Sequence, residues 1–513
     1  MRVNPRSATL MSTLLLLAVA LAVRLAIVAA PVPVQLDKTL PDDAYYYFLT
    51  ARNIAQGVGP SVDGLHPSNG WHPLWMLALV GVFAVPTPDL DTPVRVALAL
   101  GALFDSLVVV VLYQTARRYL GSAAAFAGAL VYALNSMPAF QSVNGLETGL
   151  TALLTALAWA TTLRLVERPT GRMALLWGLV FGLCFLARTD ASIILVWLGL
   201  FAGWRLLRSP GGVRTVALGA VAALVVVAPW FAWNQANFGS FLTQTSGVAV
   251  PWAARTRFAL ANPDSAAWQE SLRILLLPQY WLRGDYLGAP VLVGFLLWPA
   301  ALWGLWQGLR SNQRRLALAA LLLAGGGLTL VLVHTLVRWY PRPWYFTVMA
   351  QSLSLGVAFL WWRAGARLRL GLAVVGLPLF IVSGLLAWQV GYYPWQRQLQ
   401  YDAALWVRDN TAPDALIASM NSGVIGYYGE RNTVNLDGVV NPAAFEAIQA
   451  YRLLPFMQET GVDYFVDVDF ALEGEYGVFM GPGYAEHLDE VAVISHPYPG
   501  LGSIRAYAVA PGP

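Results

Sequence analysis

Residues 8–30 read ATLMSTLLLLAVALAVRLAIVAA, an apolar run of 23 residues with a single charge at Arg24. A helix needs about 20 predominantly apolar residues to cross the hydrocarbon core of a bilayer. The run is too long for the core of a signal peptide, and no convincing cleavage site follows it. It therefore predicts a retained first transmembrane helix.

Ten further apolar runs follow, and each is suited to form a helix that satisfies its own backbone groups in lipid. Hydrophobic residues are 57% of the 513-residue chain and charged residues only 12%, with a mean hydropathy of +0.56. Soluble domains carry about 25% charged residues. The composition predicts an α-helical polytopic membrane protein with about eleven transmembrane helices. The ten further runs are 92–116, 120–140, 148–165, 172–187, 190–207, 213–233, 287–309, 315–335, 344–362 and 369–390.

Arginines cluster in the segments that share one side of the membrane if this helix count is right. The positive-inside rule makes that side cytoplasmic. We therefore expect a cytoplasmic N-terminus, with the long loops, 31–91 and 234–286, outside. We expect the membrane to be the cytoplasmic membrane of a bacterium. The net charge is +4, but no basic tract is present, so a nucleic-acid partner is not expected. The arginines are Arg2, Arg6, Arg117, Arg118, Arg164, Arg168, Arg172, Arg205, Arg208, Arg214, Arg310, Arg314, Arg315, Arg363, Arg367 and Arg369.

The character of the chain changes near residue 391, which predicts two domains. Residues 1–391 form the transmembrane domain with the outer loop 31–91, whose short apolar piece 71–85 suggests a re-entrant or interfacial helix. Residues 392–513 are mixed and polar, with β-like runs at 415–419, 462–468 and 490–495 separated by turn residues. They predict a soluble extracytoplasmic α/β domain.

Two adjacent carboxylates, Asp42 and Asp43, follow the first helix and precede three tyrosines in the stretch PDDAYYYF at 41–48. Aspartate is favoured at helix starts, so one or both could cap the segment that begins here. A carboxylate at a membrane surface could equally be a catalytic base. The local pattern leaves the two roles equally supported.

Two of the five histidines, His66 and His72, lie within seven residues in LHPSNGWHPLW at 65–75. Histidine can bind phosphate, bind metal or transfer protons, although a polar loop with tryptophans also suits the membrane edge. With Asp42 the two could hold a divalent metal, but the spacing is not that of a typical metal site. No other cofactor is indicated.

Further polar and ionisable residues lie at the same predicted face. Such residues at membrane depth are costly and usually functional, and arginine is the preferred planar donor to phosphate. An internal ion pair between an arginine and a nearby carboxylate is the alternative. The candidates are Asn144 and Glu147 in NGLET at 144–148, Arg188 and Asp190 in RTD at 188–190, and Arg338, Arg342 and Tyr345 in VRWYPRPWY at 337–345.

Together these residues make a set that a lipid-phosphate sugar requires. Cations at headgroup depth hold the phosphate and stabilise it as it leaves. A carboxylate accepts the proton of the acceptor hydroxyl as that oxygen attacks the anomeric carbon.

The order of these motifs resembles the GT-C superfamily of membrane glycosyltransferases, near the protein-O-mannosyltransferases, the aminoarabinose transferases of lipid A and the mycobacterial arabinofuranosyltransferases. The resemblance is most specific at 42–46, 69–75 and 144–148. It implies that Asp42 is the catalytic base, Asp43 the second acidic position and Glu147 an acidic residue that positions the site. His72 stands where relatives often have a lysine that contacts the carrier phosphate. Arg338 and Arg342 match by loop and residue type.

The resemblance implies an inverting glycosyltransferase that moves a sugar from a polyprenyl-phosphate carrier to an acceptor hydroxyl on the extracytoplasmic face. The acceptor, whether glycan, lipid or protein, stays open, and membrane lipids are the remaining partners. The alternative is a transporter or flippase of a lipid-linked or anionic substrate. Transporters usually contain paired internal repeats, and this sequence has no evident repeat.

Overall fold

The computed structural model describes residues 5–243, 245–337 and 341–512. It confirms the predicted fold class, because a helical membrane domain is followed by a small domain built on a β-sheet. Each domain has a large hydrophobic core of its own. Arg2 and Arg338 lie outside the described residues.

All eleven predicted apolar segments are helical. Nine helices in the described ranges are long and apolar enough to cross a membrane, counting the short turns that precede α10, α15 and α17. The other two predicted segments contain the shorter apolar helices α6 and α9. In chain order the helices are α1 (Pro5–Val28), α2 (Val32–Lys38), α3 (Asp42–Ala55), α4 (Pro73–Phe83), α5 (Asp91–Leu120), α6 (Ser122–Leu134), α7 (Ser136–Gln141), α8 (Thr148–Glu167), α9 (Gly171–Ala187), α10 (Ser192–Leu206), α11 (Gly212–Phe238), α12 (Ala249–Ala261), α13 (Ala267–Leu276), α14 (Pro278–Leu282), α15 (Val291–Leu309), α16 (Arg314–Leu336), α17 (Thr347–Arg363) and α18 (Ala366–Val390).

The segment predicted as one helix over 120–140 is broken at Asn135. The Asn135 side chain accepts a hydrogen bond from the Met137 backbone N–H at 3.1 Å and so caps α7. Its amide nitrogen donates to the Gly288 carbonyl at 2.8 Å, which ties the break to the segment before α15. A capping asparagine offers the backbone an alternative to continuing the helix, and here that alternative prevails.

A buried ion pair joins three helices inside the membrane domain. Arg24 of α1 is fully buried, and its Nε donates to Asp105 Oδ2 of α5 at 2.7 Å. Its Nη1 donates to the Ala133 carbonyl of α6 at 3.1 Å. Tyr132 of α6 donates its hydroxyl proton to Asp105 Oδ1 at 2.6 Å. The charge in the first apolar run is thus neutralised within the bundle.

The loop 31–91 contains three helices, α2 to α4. Helix α4 corresponds to the predicted short piece at 71–85, and its eleven residues are too few to cross a bilayer. Helix α3 begins at the acidic pair, and most of its residues are buried. Because α3 lies in a loop between transmembrane helices, its buried residues must be covered by another part of the protein.

The C-terminal domain provides that layer. It has a five-stranded sheet in the order β2-β1-β3-β5-β4, in which β1 runs parallel to β2 and β3, and β5 runs antiparallel to β3 and β4. Strands β1, β3 and β4 fall at the three predicted β-like runs, whereas β2 and β5 were not predicted. The elements are α19 (Asp402–Asn410), β1 (Ile417–Ser419), α20 (Ser422–Gly429), β2 (Thr433–Asn435), α21 (Pro442–Gln449), α22 (Leu453–Thr460), β3 (Tyr464–Val468), β4 (Leu488–Val493) and β5 (Ile504–Val509).

Helix α20 seats the C-terminal domain on the membrane domain. Tyr427 donates its hydroxyl proton to the Leu90 carbonyl at 2.8 Å, and Tyr428 donates to Asp91 Oδ1 at 2.9 Å. Both acceptors lie at the start of α5. The Tyr45 ring of α3 packs 5.2 Å from the Tyr427 ring, between centroids. The two domains therefore form a continuous surface over α3.

Candidate active site

A cavity of about 400 Å³ opens where the N-termini of α3, α4 and α8 meet the turn between α9 and α10 and the end of α16. The C-terminal domain contributes to its wall, and so does the segment before α12. Six of the predicted site residues line it. They are Asp43, His72, Glu147, Arg188, Asp190 and Tyr345.

Asp43 lies in the first turn of α3, and its carboxylate is exposed to the cavity. Enclosure by protein raises the pKa of Asp43, and the negative charge of Glu147 adds to the effect, while the positive charge of Arg342 opposes it. A carboxylate with a raised pKa is a better proton acceptor near neutral pH. Asp43 therefore has the position and the basicity expected of a general base.

Asp42 faces away from this cavity. Its Oδ1 accepts a hydrogen bond from the Val424 backbone N–H at 2.7 Å, and its Oδ2 accepts one from the Gly423 N–H at 3.2 Å. Burial raises the pKa of Asp42 to about 7, although these two hydrogen bonds lower it. The residue before α3 is Pro41, and no side chain caps that helix. Asp42 thus caps α20 of the other domain and not its own helix.

Arg188 joins two carboxylates at the centre of the cavity wall. It forms ion pairs with Glu147 Oε1 at 2.5 Å and with Asp190 Oδ1 at 2.6 Å. Its guanidinium carbon lies 4.4 Å from the centre of the Tyr345 ring. The internal ion pair that the sequence offered as the alternative is therefore present, and it involves both carboxylates. A guanidinium held by two carboxylates carries little net charge toward an incoming phosphate.

His334 extends this network, although it was not among the residues predicted from the sequence. Its Nε2 lies 3.3 Å from Asp190 Oδ2, and its ring stacks on Tyr345 with centroids 4.3 Å apart. The signal that could have revealed it is an ionisable side chain in the otherwise apolar α16, since such residues are rarely idle in a membrane.

His72 precedes α4 and contacts the other end of the network. Its Nε2 lies 3.8 Å from Glu147 Oε1, and its Nδ1 lies 3.4 Å from Thr189 Oγ1. Burial lowers the pKa of His72, the Glu147 charge raises it, and the Arg188 charge lowers it. The net shift is downward, so the imidazole is mainly neutral at pH 7. It can donate a hydrogen bond to an anion but does not bring a full positive charge.

Arg342 supplies the charge that these residues lack. Its side chain is exposed, and no carboxylate of the described residues lies within 4.0 Å of its nitrogen atoms. The Arg342 and Asp43 charges nevertheless interact with each other. A cation that is accessible and not already paired is the group best suited to receive a phosphate.

Besides Asp42, three predicted candidates in the described residues are not among those that line the cavity: Arg342, His66 and Asn144. His66 Nδ1 pairs with Asp63 Oδ2 at 2.7 Å within its own loop. Asn144 accepts a hydrogen bond from the Leu146 N–H at 3.0 Å and so shapes the turn before Glu147. Within the described residues no three His, Cys, Asp or Glu side chains are grouped to hold a metal ion. The suggested set of Asp42, His66 and His72 is not brought together.

Comparisons with known proteins bear on the fold of the chain. Residues 73–233 match the family model described as dolichyl-phosphate-mannose-protein mannosyltransferase. Residues 388–507 match a domain of unknown function, DUF8728. No curated protein has significant sequence similarity to the chain.

The solved proteins with similar structures include the following two. One is ArnT from Cupriavidus metallidurans. The crystal structure bound to undecaprenyl phosphate matches with a TM-score of 0.59 at 16% identity, covering 98% of this chain and 99% of that chain. Its apo state matches with a TM-score of 0.61 at 16% identity, covering 98% of both chains. The other is the archaeal oligosaccharyltransferase AglB from Archaeoglobus fulgidus, in complex with an inhibitory peptide and a dolichol-phosphate. It matches with a TM-score of 0.55 at 14% identity, covering 97% of this chain and 74% of that chain.

At such low identity the likeness concerns the fold, and it extends over nearly the whole chain. ArnT and AglB are both GT-C glycosyltransferases. The resemblance drawn from three short motifs is thus confirmed, and the chain has the fold of the GT-C membrane glycosyltransferases.

Proposed function

We propose that the chain is an inverting glycosyltransferase that takes a sugar from a polyprenyl-phosphate carrier and passes it to an acceptor hydroxyl. The observation that carries the proposal is an accessible carboxylate, Asp43, that lines the cavity and whose charge interacts with that of an accessible cation, Arg342. The match to a mannosyltransferase family model supports it. So do the undecaprenyl phosphate and dolichol-phosphate bound in the similar structures.

In the proposed reaction Asp43 accepts the proton of the acceptor hydroxyl. The acceptor oxygen forms a bond to the anomeric carbon as the bond from that carbon to the phosphate oxygen breaks. Displacement from the opposite face inverts the anomeric configuration. The carrier leaves as polyprenyl phosphate, and the negative charge on its oxygens is stabilised by Arg342 and by a hydrogen bond from His72.

Glu147 and Asp190 have a different role in this proposal. They hold Arg188 between them at 2.5 and 2.6 Å. Two carboxylates fix the buried guanidinium, so this part of the cavity wall is rigid. Rigid surroundings keep reacting groups in a productive geometry. We therefore assign Glu147, Arg188 and Asp190 to organising the cavity, with Tyr345 packed against the guanidinium.

The proposed orientation has the cavity and the C-terminal domain on the extracytoplasmic side, because the arginine-rich segments mark the opposite side as cytoplasmic. A reporter that is active only in the cytoplasm, fused after residue 513, should be silent. Strong reporter activity in a correctly inserted fusion would refute this orientation.

The transfer reaction is tested with purified protein and a set of polyprenyl-phosphate sugars of known composition. Asp43→Asn keeps the shape of the side chain but removes the proton acceptor. General-base catalysis contributes about 10²–10⁴-fold, so turnover should fall by that factor while the carrier still binds. The exposed Asp409→Asn, in the C-terminal domain, is the matched control and should be as active as the wild type. Full turnover by Asp43→Asn would exclude Asp43 as the base.

A further inference from the structure

One buried charged contact links the C-terminal domain to the helix that carries Asp43. Both carboxylate oxygens of Asp42 accept backbone hydrogen bonds at the start of α20, and the residue is only 7% exposed. We propose that Asp42 is a positioning residue through which the C-terminal domain holds the first turn of α3, so that Asp43 faces the cavity. This inference rests on the proposed function, because it assumes that Asp43 is the reacting carboxylate.

The α20 end of the contact is itself fixed within the C-terminal domain. Asp467 at the end of β3 is 2% exposed, and its Oδ2 accepts hydrogen bonds from three groups of the turn before α20. These donors are Ser419 Oγ at 2.8 Å, Met420 N at 2.7 Å and Asn421 N at 3.1 Å. The position of the sheet therefore determines the position of the Gly423 and Val424 N–H groups that donate hydrogen bonds to Asp42.

The approach of the two domains leaves no room at this point. A Cβ atom on Gly423 would lie 2.4 Å from the Asp42 carbonyl oxygen and 2.9 Å from its Oδ1. Gly423 does not have a positive φ, so the glycine is required by contact and not by backbone conformation. One turn further along α3, Tyr46 donates its hydroxyl proton to the Met420 carbonyl at 3.3 Å. The first two turns of α3 are therefore each held by a contact with the C-terminal domain.

The consequence falls on the neighbouring residue. Asp42 and Asp43 are consecutive in one helix, so their side chains point about 100° apart around its axis. Fixing Asp42 against α20 sets the rotation of that turn and with it the direction of the Asp43 carboxylate. A misplacement of about 1 Å at a reacting group can cost about 10²-fold in rate. The C-terminal domain would then contribute to catalysis by orienting the Asp43 carboxylate.

The test uses the full-length protein in four variants and a control. Asp42→Ala and Gly423→Ala each disrupt the contact, and we expect each to lower kcat by about 10²-fold with little change in the KM for the donor. Asp42→Asn keeps a capping acceptor and should recover most of the lost kcat. The double variant Asp42→Ala with Gly423→Ala should be no slower than the slower single variant. Asp409→Ala removes an exposed aspartate and should leave kcat unchanged.

Hydrogen exchange gives a readout that does not depend on activity. The amide protons of Gly423 and Val424 should exchange faster in Asp42→Ala than in the wild type, while the control variant leaves them protected. Unchanged exchange at both amides would overturn the positioning contact. Multiplicative losses of kcat in the double variant would also overturn it, as would an Asp42→Asn variant as slow as Asp42→Ala. Failure of the wild type to use any polyprenyl-phosphate donor would instead refute the proposed function.

Discussion

Replacing Arg342 should alter two measurable properties at once, because its guanidinium is both accessible and close to the proposed base. In Arg342→Ala the donor phosphate loses a charge-assisted contact. Hydrogen bonds to charged groups contribute about 1.5–3 kcal/mol, and about 1.4 kcal/mol corresponds to a tenfold change. The apparent KM for the lipid donor should therefore rise by about 10- to 150-fold. Because the contact exists before and during the reaction, most of the effect should fall on KM, and the smaller fall in kcat should reflect the charge that develops on the leaving phosphate.

The second effect concerns the pH dependence of turnover. The Arg342 charge lowers the pKa of Asp43, against the raising effect of burial. Without Arg342 the pKa of Asp43 rises further, so less of the carboxylate is ionised at a given pH. The acid limb of the kcat profile, which lies above pH 3.8 in the wild type because the pKa is raised, should move to higher pH. Arg342→Lys keeps the charge and should keep the limb in place while still weakening donor binding.

The assay is the initial rate of sugar transfer, measured across donor concentration at each pH. Arg314→Ala, at the opposite end of α16, is the matched control and should match the wild type in both properties. An unchanged donor KM in Arg342→Ala would remove Arg342 from the phosphate site. A raised KM with an unmoved acid limb would mean that Asp43 is not the group whose titration limits turnover.

Two further substitutions give independent tests. His72→Lys should bind the donor more tightly at pH 7 than the wild type, because the pKa of His72 is lowered and its imidazole is mainly neutral at that pH. If the wild type binds the donor equally well at pH 7 and pH 5, His72 does not contact the phosphate. Removing one partner of a buried pair costs about 3–5 kcal/mol, so Asp105→Leu should lower the stability measured by SDS titration by about that amount. Arg24→Met combined with Asp105→Leu should restore most of it, and losses that simply add would contradict a direct pair.

Most of the architecture could be predicted from the sequence, because a helix in lipid needs a long apolar run and such runs are conspicuous. The break at Asn135 was missed because one capping side chain decides it within an apolar stretch. Strand β2 consists of Thr433–Asn435, of which only Val434 is apolar, so no apolar run marks it in the sequence. Strand β5 has six residues, but its position between β3 and β4 depends on sheet pairing that no local pattern specifies.

The site was predicted in part. Asp43, His72 and Glu147 meet in one cavity, as their motifs suggested. Which of the two adjacent aspartates faces that cavity could not be predicted locally, because the partner of Asp42 is 381 residues away, at Gly423. The rotation of α3 is thus set by the C-terminal domain, which lies far from the acidic pair in the sequence.

The ion pair between Arg24 and Asp105 also has a consequence for how the chain is assembled. Helix α1 is synthesised well before α5, so its arginine enters the bilayer region before its partner exists. A charge at the centre of a membrane helix raises the free energy of insertion by about 2.5–3.5 kcal/mol, and Arg24, four residues from the end of α1, raises it by less than this. We expect α1 to stay beside the insertion machinery until α5 arrives, and a chain truncated before residue 91 should insert α1 less completely than the longer chain does.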